Sequence, residues 1–301
     1  MRARAPGGEA VGMFSSLTER QKGVTYYLLT LTMAILVATL GPTGGPGDAD
    51  RLQILNMLTA TAGVLLMLLV VTRDGYRRAG WAQLALHRAG WRYWPLALLA
   101  PAAILGASYA AATLVGAVSW HFASDTLLNL AINIVIGSGF ALTEEVGWRG
   151  YLLPKLAAGN RRAAPALVGF LHGVWHVPLM LLTTAYNPVG NRLIVVPMFL
   201  AVLTGAGVLY GYLRDRSGST WPAVLAHGTF NAVLGVLAGA AASVDPLRTA
   251  YLTGESGVFT LAAVIVLAWL LTVRARSETG KQEPQQRPRA RSQPGSRPAV
   301  S

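Results

Sequence analysis

The sequence predicts an all-α fold, a polytopic membrane bundle of about eight transmembrane helices, and three observations carry that reading. The chain of 301 residues is 53% hydrophobic and only 13% charged, with a mean hydropathy of +0.44, whereas soluble domains carry roughly 25% charged residues. Apolar runs of about 17 to 25 residues recur along it, the length that crosses a hydrocarbon core. The basic residues fall on alternate connections, as the excess of Lys and Arg in cytoplasmic loops requires. With both termini cytoplasmic, all 25 Lys and Arg lie on the inner side except Arg51, Arg192 and Arg248. Seven or nine spans would put one tail on the wrong side.

Each element follows in order. Residues 1–23 read as a cytoplasmic tail, and the run Val24 to Leu40 is too long for a secretory signal and lacks a small-x-small cleavage site, so it is a retained first span. The Gly- and Pro-rich stretch Gly41 to Asp50 is an outer turn, leading to a second span over Leu52 to Thr72. The connection Arg73 to Trp94 interleaves Trp81, Trp91, Tyr93 and Trp94 with arginines. That mixture belongs at the headgroup level, with a short amphipathic helix expected around Trp81 to Leu86.

Further spans are expected over Pro95 to Val118, Leu127 to Leu142 continuing to Leu156, Ala163 to Thr184, Leu193 to Leu213, Trp221 to Ala240 and Val258 to Val273. In the sixth, Gly205, Gly207 and Gly211 suit close helix packing, the last two spaced as in a G-x-x-x-G contact. Pro154, Pro178, Pro197 and Pro222 mark kinks or helix starts. Residues 24–273 thus form one membrane domain. The tail 274–301 is rich in Arg, Gln, Pro and Ser and is expected to be disordered, because it cannot bury enough apolar surface to offset ordering.

Composition also excludes functions. The net charge of +12 is spread over short loops and tails rather than a folded basic face, so no nucleic-acid partner is expected. The absence of cysteine removes disulfides, thiolate metal sites and a Cys nucleophile. No H-E-x-x-H and no G-x-S-x-G occurs, excluding a zincin and arguing against an α/β-hydrolase-type serine enzyme.

Against this apolar background, three polar groups stand out within the spans: Glu144 and Glu145 with Arg149, His172 and His176, and His227 with Asn231. Ionisable residues at membrane depth are costly and mark chemistry or ion paths. Counting along each helix puts all of them in the cytoplasmic half, so one cavity can hold them. Arg149 follows Glu145 by four residues, and His176 follows His172 and Asn231 follows His227 at the same spacing, so each pair shares a helix face. An Arg149–Glu145 pair would hold one carboxylate ionised and leave the other to act as a general base near neutrality. Glutamate, imidazole and carboxamide together suit activation of water and stabilisation of an oxyanion. The same Glu and His groups also suit Zn²⁺.

Glu144-Glu145-Val146-Gly147-Trp148-Arg149 resembles the E-E-x-x-x-R motif of the CAAX-protease and bacteriocin-processing (CPBP, or Abi) family of intramembrane proteases. Gly173 to Leu179, containing His176, is similar to its second motif, and His227-Gly228-Thr229-Phe230-Asn231 to its third. The resemblance spans roughly Leu127 to Ala240. It implies a membrane-embedded helical protease with a cavity open to the cytoplasm. In it Glu144 activates water together with His176, His227 and Asn231 stabilise the oxyanion, and Arg149 organises the Glu pair. It leaves open whether a metal such as Zn²⁺ or the glutamate alone does the work. One departure is His172, standing where the family carries an aromatic residue four before the histidine; it adds a second imidazole on the same face, a metal ligand or a polar liner of the cavity, of which the liner is the preferred reading.

The expected function is therefore endopeptidase cleavage near a membrane-anchored or prenylated peptide end, by a multi-pass protein of the cell membrane whose partners are a peptide or lipidated peptide and the bilayer. Two other classes share these features. One is a non-enzymatic bacteriocin self-immunity or membrane-partner protein on the same fold. The other is a proton or metal transporter, disfavoured because spans four, five and seven look apolar in their outer halves.

Overall fold

The computed structural model describes residues 17–243 and 245–282. Among these the chain is helical apart from one short ribbon, and eight helices are long and apolar enough to cross a membrane. This is a multi-pass membrane protein. Helix α1 (Glu19–Leu40) starts on a capping box in which the Thr18 side chain accepts from the Gln21 amide and the Gln21 side chain accepts from the Thr18 amide, satisfying two amides that lack intrahelical partners. Helix α2 (Asp48–Leu66) ends in a π-helical turn, Met67–Val71.

The interfacial connection differs from expectation in its helix. The helical turn α3 covers Arg78–Ala82 rather than Trp81 to Leu86. Residues beyond it are irregular because their carbonyls serve other elements: Thr220 Oγ1 donates to the Leu84 carbonyl and Trp221 Nε1 to that of Leu86. Helix α4 (Trp94–Leu114) precedes strand β1 (Val118–Trp120). Helix α5 (Thr126–Glu145) carries the acidic pair at its end, continues through a seven-residue π-helix over Val146–Leu152, and restarts as α6 (Leu153–Asn160) with Pro154 in its first turn. There a missing amide costs nothing.

Next come α7 (Ala164–Leu182), α8 (Arg192–Ser217) and α9 (Trp221–Ala240). Pro178 and Pro197 are accommodated inside α7 and α8, while Pro222 sits at the start of α9. Strand β2 (Ala241–Ser243) pairs antiparallel with β1, Val118 opposite Ser243, and α10 (Pro246–Leu252) leads to α11 (Val258–Gln282). This last helix runs past the tail boundary expected at Arg274; the disorder expected for the tail falls largely on residues 283–301, outside the described residues.

The glycines of α8 set the packing. A Cβ on Gly207 would stand 2.5 Å from Gly169 Cα of α7, one on Gly211 2.5 Å from Pro165 Cβ, and one on Gly205 2.2 Å from a Val264 methyl of α11. Small residues here let backbones approach where lipid supplies no hydrophobic drive. Gly207→Ala is expected to lower stability by about 1 to 3 kcal/mol through overpacking, read as a lower unfolding midpoint in detergent micelles.

The connections fall into two groups. Lys155 of α6 donates to Glu19 of α1 and to Gln83, and Thr220 bonds to Leu84. The loops at 73–93, 161–163 and 218–220 therefore share what we term the basic end. The ribbon β1–β2 and the connections 183–191 and 253–257 lie at the opposite end, where Asn187 Nδ2 donates to Ser256 Oγ at 2.6 Å.

Candidate active site

The three polar groups meet between α5, α7 and α9, the pairs α5–α9 and α7–α8 forming the most closely packed helix contacts. Glycine again permits this. A Cβ on Gly228, next to His227, would stand 2.5 Å from the Ser138 backbone nitrogen of α5, and one on Gly147, between Glu145 and Arg149, 2.0 Å from Tyr26 Oη of α1. Gly147 and Gly228 are thus points of helix contact.

Glu144 and Glu145 are adjacent in sequence but turn to different partners. Glu144 Oε2 lies 2.7 Å from His172 Nε2, and Glu145 Oε1 lies 3.0 Å from His227 Nδ1. Arg149 Nη1 donates to the same Glu145 oxygen at 2.7 Å, the i,i+4 pair that the spacing predicted. This ion pair is buried, with the Glu145 side chain 0% and that of Arg149 1% exposed. The Arg149 guanidinium also lies 4.8 Å from the Tyr210 ring centroid, and Tyr210 stacks on His227 at 5.6 Å. A carboxylate only accepts, so His227 donates from Nδ1 and its Nε2 remains for the cavity. The π-helix over the motif has the irregularity often found at functional sites.

His172 is the residue that sequence reasoning undervalued. It is the imidazole bonded to Glu144, a contact that the reading of His172 as a cavity liner did not include. It is held by stacking on Trp148 at 5.0 Å and lies 5.3 Å from the His176 ring and 5.6 Å from that of His227. Its signal was present in the sequence, a second histidine four residues before His176 on the same helix face. His176 itself is buried, and its Nδ1 has no hydrogen-bond partner among the described residues. Asn231 is half-buried on the wall of the same cavity.

That cavity, about 370 Å³, is lined by Glu144, the three histidines and Asn231, and also by Gln53, Tyr186 and Glu255. The last three come from the end opposite the basic loops. Towards the basic end the site is closed by Trp148, Tyr151 and Leu152, each 0% exposed. Counting depth along single helices places the polar groups, but it does not reveal that large aromatic side chains fill the space beneath them. Tyr186 and Glu255 were not foreseen, since a polar residue in a connection carries no special signal.

Glu144, His172 and His176 each offer one ligand atom, all within 4.8 Å of one another. A carboxylate with two imidazoles is a zinc-type donor set, and the unpartnered His176 Nδ1 is consistent with it, so the residues present fit a metal ion.

Residues 126–233 match the family model for type II CAAX prenyl endopeptidase Rce1-like. No curated protein matches the chain. The matched stretch begins with α5 and extends into α9, containing every residue of the acidic and histidine cluster. The resemblance to the CAAX-protease and bacteriocin-processing family read from the motifs is thus supported over that core, and with it a CAAX-type intramembrane peptidase function in broad terms.

Proposed function

From the family match over residues 126–233, we propose that this protein is an intramembrane endopeptidase that hydrolyses a peptide bond near a membrane-anchored or prenylated chain end, with Glu144 as the base that activates water. The observation that carries this reading is the Glu144–His172 contact of 2.7 Å on the wall of a cavity between helices long and apolar enough to cross a membrane. Glu144 takes a proton from water, and the resulting hydroxide adds to the peptide carbonyl. The oxyanion so formed accepts hydrogen bonds from Asn231 and from His227 Nε2 when that ring carries a second proton. Glu145 supports that imidazolium, as Arg149 in turn fixes Glu145. Glu144 then returns its proton to the amide nitrogen as the C–N bond breaks, leaving a carboxylic acid and an amine, and the acid then gives up its proton to become the carboxylate. Preorganised donors of this kind, in a site shielded from water, each contribute about 10²- to 10³-fold.

Where Zn²⁺ is bound, Glu144, His172 and His176 would hold it, and it would lower the pKa of a coordinated water. The chain's own residues still have to seat the peptide and donate to its oxyanion.

A lipid-anchored substrate is favoured by the route to the cavity. Ile54, Met57, Ile136 and Phe140 line an apolar groove between α2 and α5, and Met57 and Phe140 also line the cavity. The outward face of α5 is apolar and exposed at Leu127, Leu128, Val135 and Ile136, as suits contact with lipid. The aromatic closure at the basic end argues against a transport path through the molecule.

His172→Ala is expected to lower kcat about 100-fold, the effect of losing a group that orients a site residue. Near-wild-type turnover would return His172 to the role of a liner. The direct test is cleavage of a panel of membrane-anchored peptides, including a farnesylated C-a-a-X tail, with and without a zinc chelator. Loss on chelation with recovery on Zn²⁺ assigns the donor set to metal, and resistance assigns water activation to Glu144 alone. Absence of cleavage across the panel would sink the peptidase reading.

A further inference from the structure

We infer that Tyr186 and Glu255, two residues in connections outside the membrane-spanning helices, form a positioning pair that holds the His176 ring in the cavity. The inference rests on the peptidase reading of the site. His176 Nδ1 has no hydrogen-bond partner among the described residues. Site histidines ordinarily have their orientation set by a bond at the second ring nitrogen. Here ring packing does that work. Tyr186 stacks on His176 at 4.6 Å and an interplanar angle of 16°, while Phe199 meets it edge-on at 5.6 Å and Trp175 at 4.5 Å.

Phe199 and Trp175 are fixed on α8 and α7, and Trp175 is tied further by its indole nitrogen to Thr59 Oγ1 at 3.0 Å. Tyr186 lies in the connection 183–191, which has no regular structure to hold a ring in place. What holds it is Glu255: Tyr186 Oη donates to Glu255 Oε2 at 2.7 Å. Glu255 sits on the short turn Gly254–Ser256, opened by Gly254 at φ 72°. The connection is pinned twice more on either side of Tyr186, by Asn187 to Ser256 and by Gln53 Nε2 to the Ala185 carbonyl at 2.8 Å.

The protonation states agree with this direction of donation. Burial pushes the Tyr186 hydroxyl well above its ordinary range, and the Glu255 charge adds to the effect, so the phenol keeps its proton. Burial also raises the Glu255 carboxyl, against the opposing pull of the Tyr186 bond. Its Oε2 accepts in either state. Glu255 and Tyr186 both line the cavity that holds Glu144, so displacement of the pair is felt at the reacting atoms. A misplacement of about 1 Å is enough to cost about 10²-fold in rate.

The test is steady-state kinetics on a cleaved peptide together with nitrogen-15 NMR of histidine-labelled protein in micelles. Tyr186→Leu is expected to lower kcat about 100-fold and Tyr186→Phe or Glu255→Ala about 10-fold, with KM changed less than about twofold, because the loss is one of geometry at the reacting centre. Glu255→Gln, whose amide oxygen accepts the same bond, should restore kcat to within about threefold of wild type. A rise in KM alone, or Glu255→Gln as impaired as Glu255→Ala, would overturn the inference in favour of direct substrate contact or charge.

The NMR arm does not depend on turnover. With five histidines in the chain, the His176 signals are identified by their loss in His176→Asn. Tyr186→Leu and Glu255→Ala should shift or broaden them while those of His87 and His121 stay in place. An unmoved His176 would overturn positioning even if no peptide is cleaved, and the lack of cleavage itself would count against the peptidase reading alone.

Discussion

Glu144→Gln is expected to abolish peptide cleavage, lowering kcat by about 10³-fold or more, while the protein folds and extracts like wild type. The substitution is close to isosteric and keeps a side-chain oxygen to accept from His172, the partner 2.7 Å away. What it removes is the capacity to take a proton. General-base catalysis contributes about 10²- to 10⁴-fold, and at membrane depth there is little bulk water to substitute for the lost base. The check is single-turnover cleavage beside an unfolding curve. A variant that unfolds early would turn the result into one about stability, whereas a folded and active variant would remove Glu144 from the chemistry.

The second large effect is on stability. Arg149→Ala leaves Glu145 buried at 0% exposure with its guanidinium partner gone, and deleting one member of a buried ion pair costs about 3 to 5 kcal/mol. The loss extends to the face of Tyr210, over which the guanidinium packs. The informative comparison is the double variant Glu145→Gln, Arg149→Met. Removing both charges together is expected to recover most of the unfolding midpoint, because no unpaired charge remains, yet not to recover turnover, because His227 has lost the carboxylate to which its Nδ1 donates. Recovery of both would mean that the pair supports the fold and nothing else.

Much of this was legible in the sequence because lipid imposes strict rules. Eight spans follow from length and apolarity alone, since a helix is the way a single segment satisfies its backbone in hydrocarbon. Glu144, Glu145, Arg149, His176, His227 and Asn231 stood out as candidates for the complementary reason that polar side chains in such segments are costly and therefore conspicuous. The spacing of Glu145 and Arg149 gave their contact, and Gly207 and Gly211 gave the close approach of α8 to α7.

What escaped depended on tertiary context. His172 occupies a motif position where an aromatic residue was expected, and only the folded helices reveal that it faces Glu144. The π-helix after Glu145 has no periodic signature distinct from that of an α-helix. Tyr186 and Glu255 lie in connections, where polar residues are ordinary, and become notable only because both line the cavity. Trp148 and Tyr151 look like unremarkable membrane residues until the folded helices show them fully buried beside the site.

Attack on a peptide bond by water activated at Glu144 leaves solvent oxygen in the new carboxylate. The measurement that tests it most directly is mass spectrometry of the products from a farnesylated C-a-a-X peptide and other membrane-anchored peptides incubated in oxygen-18 water with wild type and Glu144→Gln. The predicted result is a single new carboxylate carrying oxygen-18 with wild type and intact peptide with the variant. Cleavage by both proteins, or by neither, would contradict it.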